Sequence, residues 1–248
     1  MKNKSIISLL IGRKGSKGFP NKNLIKIKGK YIFEYPIINC NKSKMVDEIY
    51  ISTDCPKISR ICKSKYNSKI IKRPKYLTTN KALGDDAFKH GYEKIKIEQN
   101  KKGKKIEFIV LLFANAATIH AKQITFGINF LRKNPSFDSA VTVSKYNMWS
   151  PLRARKVVKD GSLKPFVPFK TFGNPKTLNC DRDSQGDVYF ADMSVSIVRP
   201  QCFHNMRDNL LPQRWMGKKI APIYSEAGFD LDYEWQLPQL EHWIKNKL

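Results

Sequence analysis

The residues best suited to chemistry lie near the start of the chain, where an apolar run at 6–11 leads into a loop rich in glycine and basic residues. The chemically distinctive residues of this loop are Arg13, Gly15, Ser16, Lys17, Lys22 and Asn23. Glycines let backbone N–H groups approach phosphate oxygens, and cationic side chains neutralise the phosphate charge. The spacing matches neither a P-loop nor the GxGxxG motif. We therefore predict a phosphate-binding loop of another type.

A second candidate site lies near the other end of the chain, in the segment FDLDYE at 229–234. Residues two apart in an extended segment project to the same side, so Asp230 and Asp232 can hold one cation together. Mg²⁺ prefers such oxygens and usually takes only one or two carboxylates from the protein. The alternative is that the two aspartates cap the final helix.

The net charge of +25 suggests an anionic partner. The proportion of Lys to Arg among the basic residues argues against nucleic acid as that partner. The chain has 36 Lys and only 10 Arg, whereas proteins that read bases or grip phosphates favour Arg. The lysines are spread along the chain, apart from one cluster at 101–105. We expect small anionic substrates and no nucleic acid.

The cysteines and the hydropathy pattern indicate a cytoplasmic protein. The five cysteines are odd in number and form no CxxC pair, which predicts reduced thiols and neither a zinc site nor disulfides. No apolar run approaches the length of a transmembrane helix, so we expect no membrane insertion.

Alternating strand and helix patterns predict an α/β fold of three layers around a mostly parallel sheet. The predicted strands are 6–11, 48–52, 68–71, 106–113, 139–144 and 188–198. The predicted helices are 32–41, 56–66, 83–95, 122–132 and 234–245. We expect one domain, residues 1–248.

The segment 146–187 interrupts this alternation and is rich in proline, lysine and aromatic residues. Asp160-Gly161 at the centre of 157–163 predicts a β-hairpin. The segment can scarcely bury Phe166, Phe169 and Phe172 alone, and exposed aromatic patches usually mark interfaces. We refer to 146–187 as the arm.

The first loop reads R-x-G-S-K-x-x-x-x-K-N from Arg13 to Asn23 and resembles the signature of the CMP-N-acetylneuraminate (acylneuraminate) cytidylyltransferases, a family of CMP-sugar-acid synthetases. Ser52-Thr53-Asp54, Arg73-Pro74 and the D-x-D at 230–232 also resemble family segments. The resemblance covers almost the whole chain and is weakest from 146 to 193.

This resemblance implies a nucleotide-diphospho-sugar-transferase-like (Rossmann-like) fold with an inserted dimerisation arm. It also implies a Mg²⁺-dependent enzyme that transfers CMP from CTP to the anomeric hydroxyl of an acidic sugar, releasing pyrophosphate, in surface polysaccharide biosynthesis. The expected assembly is a homodimer in which the arm, 146–187, reaches the neighbour's site.

Residue roles follow from the same resemblance. The catalytic set is Arg13, Lys22, Asp230 and Asp232, and the last two are the metal ligands. The nucleotide-binding set is Arg13, Gly15, Ser16, Lys17, Lys22, Asn23, Arg73 and Asn115. The sugar-binding set is Arg153, Arg182 and Asp192. For Arg73, Arg153 and Arg182 the alternative is a solvated surface arginine.

One loop departs from the family pattern. Where relatives read Q-P-T-S-P-L-R, this chain has FANAATIH at 113–120, and Asn115 is the only side-chain amide left there. Asn80 lies near the position of a family aspartate. The acceptor therefore need not be N-acetylneuraminate, and the alternative function is a nucleotide-binding homologue that has lost turnover.

Overall fold

A computed structural model describes residues 3–15, 18–146, 149–179, 181 and 186–248. In chain order its strands are β1 (Lys4–Ile11), β2 (Lys26–Ile27), β3 (Lys30–Tyr31), β4 (Glu48–Thr53), β5 (Lys69–Lys72), β6 (Lys105–Phe113), β7 (Ser139–Lys145), β8 (Arg155–Val157), β9 (Leu163–Pro165), β10 (Tyr189–Val198) and β11 (Ile220–Ser225). Its helices are α1 (Glu34–Lys42), α2 (Pro56–Tyr66), α3 (Gly84–Lys101), α4 (Ala121–Lys133) and α5 (Leu237–Lys247).

The central sheet has seven strands in the order β11-β7-β10-β6-β1-β4-β5. The pairs β1–β4, β1–β6, β4–β5 and β7–β11 are parallel, and β10 runs antiparallel to both of its neighbours. The predicted mostly parallel sheet is confirmed. Every strand of the sheet except β10 therefore ends at the same edge.

Helices cover both faces of the sheet, which gives the predicted three layers. Along β1, Ile6 and Leu10 join one buried cluster together with residues of α1, α2 and α4. Ile7, Leu9 and Ile11 join a second cluster, on the other face, with residues of α3. This alternation follows from the two-residue period of a strand. No helix in the described part of the chain combines the length and apolar character that a membrane span requires.

The structure differs from the sequence prediction mainly near the end of the chain. The strand β11 was not predicted, and it carries Pro222, which lacks the N–H that a central strand needs. Its place at the edge of the sheet removes that conflict. The last helix begins at Leu237, after a short 3-10 turn at Glu234–Gln236.

The arm contains the predicted hairpin, formed by the antiparallel strands β8 and β9. Gly161 adopts a φ of 81° in the connecting turn, which favours glycine. Phe166 is 62% exposed. The cysteines Cys40, Cys55, Cys62 and Cys202 are buried free thiols, and Cys180 lies outside the described residues.

Candidate active site

The loops that follow β1, β4 and β6 meet at the edge where these parallel strands end. In open α/β sheets this edge is the usual place for a ligand. A cavity of about 200 Å³ opens there, and the residues that line it include Gly12, Arg13, Gly15, Lys22, Asn23, Arg73 and Asn115. Residues predicted from the sequence to bind a nucleotide thus lie around one cavity, whereas Ser16 and Lys17 fall outside the described residues.

The loop after β1 is held by the segment after β4. The Gly12 N–H donates to the Ser52 carbonyl at 3.1 Å, and the Lys14 N–H donates to Asp54 Oδ1 at 2.6 Å. A Cβ on Gly12 would lie 2.5 Å from the Cβ of Ala114, so only glycine fits there. The S-T-D segment therefore supports the predicted phosphate loop directly.

Arg13 and Asn23 lie on the wall of the cavity. Arg13 Nη1 donates to Asn80 Oδ1 at 2.7 Å, which gives Asn80 a contact that the sequence did not indicate. The amide of Asn23 donates to the Arg13 carbonyl at 3.4 Å, and Asn23 Oδ1 is buried without a partner among the described residues. Buried acceptors are normally satisfied, so this oxygen is available to a ligand.

Arg73 is buried, and this contradicts the alternative of a surface arginine. Its Nη2 donates to the Ser52 carbonyl at 2.9 Å. Burial lowers the pKa of its guanidinium, the Asp54 carboxylate opposes this and the nearby Arg13 adds to it, which leaves a pKa of about 10. The guanidinium therefore remains cationic at neutral pH.

Lys22 and Asp232 form an ion pair although they are 210 residues apart in the sequence. The Lys22 side chain is only 13% exposed, whereas that of Asp232 is 55% exposed. Asn115 Nδ2 donates to the Leu231 carbonyl at 3.2 Å and to Asp232 Oδ1 at 3.4 Å. The divergent loop after β6 thus holds the acidic segment beside the lysine.

Asp230 lies next to this pair, and its Oδ1 is buried with no partner among the described residues. Burial raises the pKa of its carboxyl, the charge of Asp232 and that of Asp192 add to this, and Lys22 opposes it, which leaves a pKa of about 7. A cation bound beside Asp230 would therefore stabilise the charged form of its carboxyl.

The capping alternative for the two aspartates does not fit the geometry. Gln236 Oε1 accepts from the backbone N–H groups of Asp232 and Tyr233, at 2.7 and 2.9 Å. The Asp232 carboxylate instead contacts Lys22 and Asn115. Neither aspartate therefore acts as the cap of α5.

The residues here fit a divalent cation bound in part by substrate. No group of three or more His, Cys, Asp or Glu side chains suited to a metal occurs among the described residues. Mg²⁺ commonly binds through one or two carboxylates plus phosphates and water, and Asp230 and Asp232 can supply that number. The buried, unpartnered Oδ1 of Asp230 is the observation that favours this role.

The residues predicted to bind the sugar do not lie together in one environment. Arg153 is exposed on a 3-10 turn, Pro151–Arg153, at the base of the arm. Asp192 is buried, and its carboxylate accepts from Thr142 and Ser144, both at 2.5 Å. Arg182 lies outside the described residues. The sugar-binding roles of all three stay predictions.

Comparison with known proteins gives the family. A family model described as cytidylyltransferase matches residues 7–159. A Helicobacter pylori protein named "Pseudaminic acid cytidylyltransferase and UDP-2,4-diacetamido-2,4,6-trideoxy-beta-L-altropyranose hydrolase" is 25% identical over 88% of this chain and 39% of its own length. N-acylneuraminate cytidylyltransferase A of Danio rerio is 22% identical over 96% of this chain and 51% of its own length. The chain thus spans at most about half of these relatives.

Solved structures agree on the fold. CMP:2-keto-3-deoxy-manno-octonic acid synthetase complexed with CTP superposes with a TM-score of 0.69 at 15% identity, over 98% of this chain and 100% of the other. The 4-diphosphocytidyl-2C-methyl-D-erythritol synthase of Anaerococcus prevotii gives a TM-score of 0.64 at 13% identity, over 98% of this chain and 97% of the other. These neighbours confirm the predicted Rossmann-like α/β fold, and the family model shows that the chain belongs to the cytidylyltransferase family.

Proposed function

We propose that the protein is a Mg²⁺-dependent cytidylyltransferase that transfers CMP from CTP to the anomeric hydroxyl of an acidic sugar. In this reaction the hydroxyl oxygen bonds to the α-phosphorus, the bond from that phosphorus to the bridging oxygen breaks, and pyrophosphate leaves. We further propose a cytoplasmic enzyme that supplies activated sugar acids for a surface polysaccharide.

The observation that carries the proposal is the ion pair of Lys22 with Asp232 of the acidic segment 230–232, beside the cavity at the first loop. Lys22 lines the cavity, and the fold brings it to carboxylates from the opposite end of the chain. Transfer of CMP from a triphosphate needs charges of both signs there, since the phosphates need cations and a divalent metal needs carboxylates.

Each of the residues that line the site has a defined role in this proposal. Arg13 and Lys22 neutralise the phosphates, and the N–H groups of the loop near Gly15 hold phosphate oxygens. Asn23 and Asn115 orient phosphate or ribose oxygens. Arg73 is proposed to lie near the cytosine. Hydrogen bonds within the protein hold Arg13, Arg73 and Asn115 in place before the substrate arrives, and preorganised groups stabilise developing charge most effectively.

The metal would be held by Asp230 and Asp232. Bound there, Mg²⁺ would supply charge neutralisation at the phosphates and a template for their orientation. The residues do the remaining work: Asn115 and Gln236 keep the acidic segment in place, and Lys22 is an ion-pair partner that can turn to the phosphates when substrate enters.

The arm supports a further proposal about assembly. We propose a homodimer in which the arm contributes Arg153, and with it Arg182, to the sugar pocket of the neighbour. Exposed apolar side chains on and beside the arm favour this, among them Trp149, Val157, Leu163 and Phe166. A guanidinium pairs well with a sugar-acid carboxylate because its two parallel N–H groups match both oxygens.

The test is pyrophosphate release from CTP and Mg²⁺ with a panel of sugar acids that includes N-acetylneuraminate, pseudaminate-like and legionaminate-like acids, and 3-deoxy-octulosonate. Release with at least one acid, absent with ATP or with chelator, is the expected result. Tight binding of CTP without release for any acid would instead support the alternative of a binding protein, which the family membership does not favour.

A further inference from the structure

Asp192 lies in an irregular part of strand β10. Ala191 pairs with Val143 of β7, and the next pair is Ser196 with Val141, so residues 192–195 lie opposite Thr142 alone. Within this bulge Met193 adopts a φ of 56°, a conformation that non-glycine residues rarely take. Bulges of this kind redirect a side chain, and here the redirected side chain is a buried carboxylate.

The Asp192 carboxylate is bound entirely by neutral groups in the described part of the chain. Its Oδ1 accepts from the Thr142 hydroxyl at 2.5 Å and from the Ser194 N–H at 3.0 Å. Its Oδ2 accepts from the Ser144 hydroxyl at 2.5 Å. Since Ser144 gives its only proton to Asp192, its oxygen is free to accept, and it accepts the Gly228 N–H at 2.7 Å.

Gly228 lies directly against this carboxylate. A Cβ on Gly228 would lie 2.4 Å from Asp192 Cγ, so a side chain at 228 would displace the segment. The Gly228 carbonyl accepts from the Tyr146 hydroxyl at 3.1 Å, and the Phe229 N–H donates to Thr118 Oγ1 at 3.3 Å. The backbone immediately before Asp230 is therefore held by a buried polar network.

The backbone after Asp230 is held as well. The Leu231 N–H donates to the Asn115 carbonyl at 3.1 Å, and Leu231 itself is fully buried. Asp230 thus lies between two anchored stretches of chain, and its own Oδ1 has no partner among the described residues. Such an arrangement fixes an unsatisfied carboxylate in space before any ligand binds.

We infer that Asp192 is a positioning residue: through the Ser144 hydroxyl it fixes Gly228, and thereby the placement of Asp230 and Asp232 for the cation and the phosphates. The inference rests on the proposed function. It replaces direct sugar contact as the main task of Asp192, because the oxygens of its carboxylate already accept three hydrogen bonds within the protein.

The substitution Asp192→Asn tests the direction of these hydrogen bonds. With the amide oxygen towards Ser194, the amide NH₂ faces Ser144, whose hydroxyl proton then loses the carboxylate oxygen that accepts it. With the amide reversed, the NH₂ faces the Ser194 N–H. Neither orientation preserves the network. Ser144→Ala removes the same link while keeping the Asp192 charge, and it covers the case in which the first variant does not fold.

Ser139→Ala is the matched control, because Ser139 is also fully buried on β7 and donates to the Met216 carbonyl, away from the acidic segment. Hydrogen–deuterium exchange of the full chain without substrate measures how firmly the backbone at 228–229 is held. We expect the amides of 228–229 to exchange at least tenfold faster in Asp192→Asn and Ser144→Ala, and unchanged in Ser139→Ala. Equal protection in all four proteins overturns the inference.

The effect of this network on Mg²⁺ binding is measured as the thermal stabilisation of the protein by CTP at increasing Mg²⁺ concentrations. We expect the Mg²⁺ concentration for half of the stabilisation to increase about tenfold in both network variants and to stay unchanged in Ser139→Ala. Unchanged values in the network variants, with a normal wild-type response, overturn the inference and leave the proposed function standing. If the wild-type protein shows no response to Mg²⁺ with CTP, the metal-dependent function fails and this inference with it.

Discussion

Replacing Lys22 by alanine should reduce turnover strongly while leaving the fold intact. The Lys22 side chain is 13% exposed, so its ammonium acts in a partly dry site where its field is weakly screened. Loss of one preorganised contact to developing charge costs about 3–4 kcal/mol, or about 10²–10³ in kcat. Its ion-pair partner Asp232 is 55% exposed, so water can solvate the released carboxylate, and the stability change should stay within about 1 kcal/mol.

The assay is pyrophosphate release at saturating CTP and sugar acid, with urea unfolding measured in parallel. Lys247→Ala is the control, because Lys247 also forms an ion pair, with Glu226 at 2.8 Å, on an exposed surface away from the cavity. It changes the net charge equally and should leave kcat unchanged.

The Mg²⁺ dependence of Lys22→Ala separates a phosphate contact from a metal defect. Removing a cation next to Asp232 increases the local negative potential, so the Mg²⁺ concentration for half-maximal rate should not increase. A kcat within threefold of wild type would refute the assignment of Lys22 to the phosphates. A fall in kcat that excess Mg²⁺ restores would refute the reasoning about its mechanism.

Three further outcomes are expected. Asp232→Asn should raise the Mg²⁺ concentration for half-maximal rate at least tenfold without lowering thermal stability, since the Gln236 side chain and not that of Asp232 accepts the N–H groups at the start of the following turn; an unchanged Mg²⁺ requirement would contradict the ligand role. Burial alone would raise the pKa of Glu48, but hydrogen bonds from Lys69, Lys102, Gln99 and Tyr50 lower it to about 2, below its unfolded value. Its stabilisation, on the order of 2 kcal/mol, is thus complete above about pH 4.5 and lost as the pH falls towards 2, so Glu48→Gln should be destabilised in urea at pH 7 and equal to wild type near pH 2. Arg153→Ala should raise the KM for the sugar acid far more than that for CTP, and mixing it with Lys22→Ala chains should restore activity only if the arm crosses to the neighbour.

Local patterns in the sequence determined the layers of this fold. The apolar alternation in β1 and the continuous apolar run of β6 predicted buried strands, and Pro56 at the start of α2 predicted that helix with its observed bounds. These signals are local, because the side-chain period and the fixed φ of proline are properties of a few neighbouring residues. The edge strand β11 escaped prediction because Pro222 argues against a strand until its edge position is known.

The sequence also determined which residue types could bind phosphate and metal, but only the tertiary structure decided how they meet. Lys22 and Asp232 are 210 residues apart, and no local pattern indicates that they pair. The contact of Arg13 with Asn80, and the link from Asp192 through Ser144 to Gly228, depend on the crossing order of the strands. Such contacts arise when parallel strands deliver their loops to one edge, and that order is set by the packing of the whole sheet.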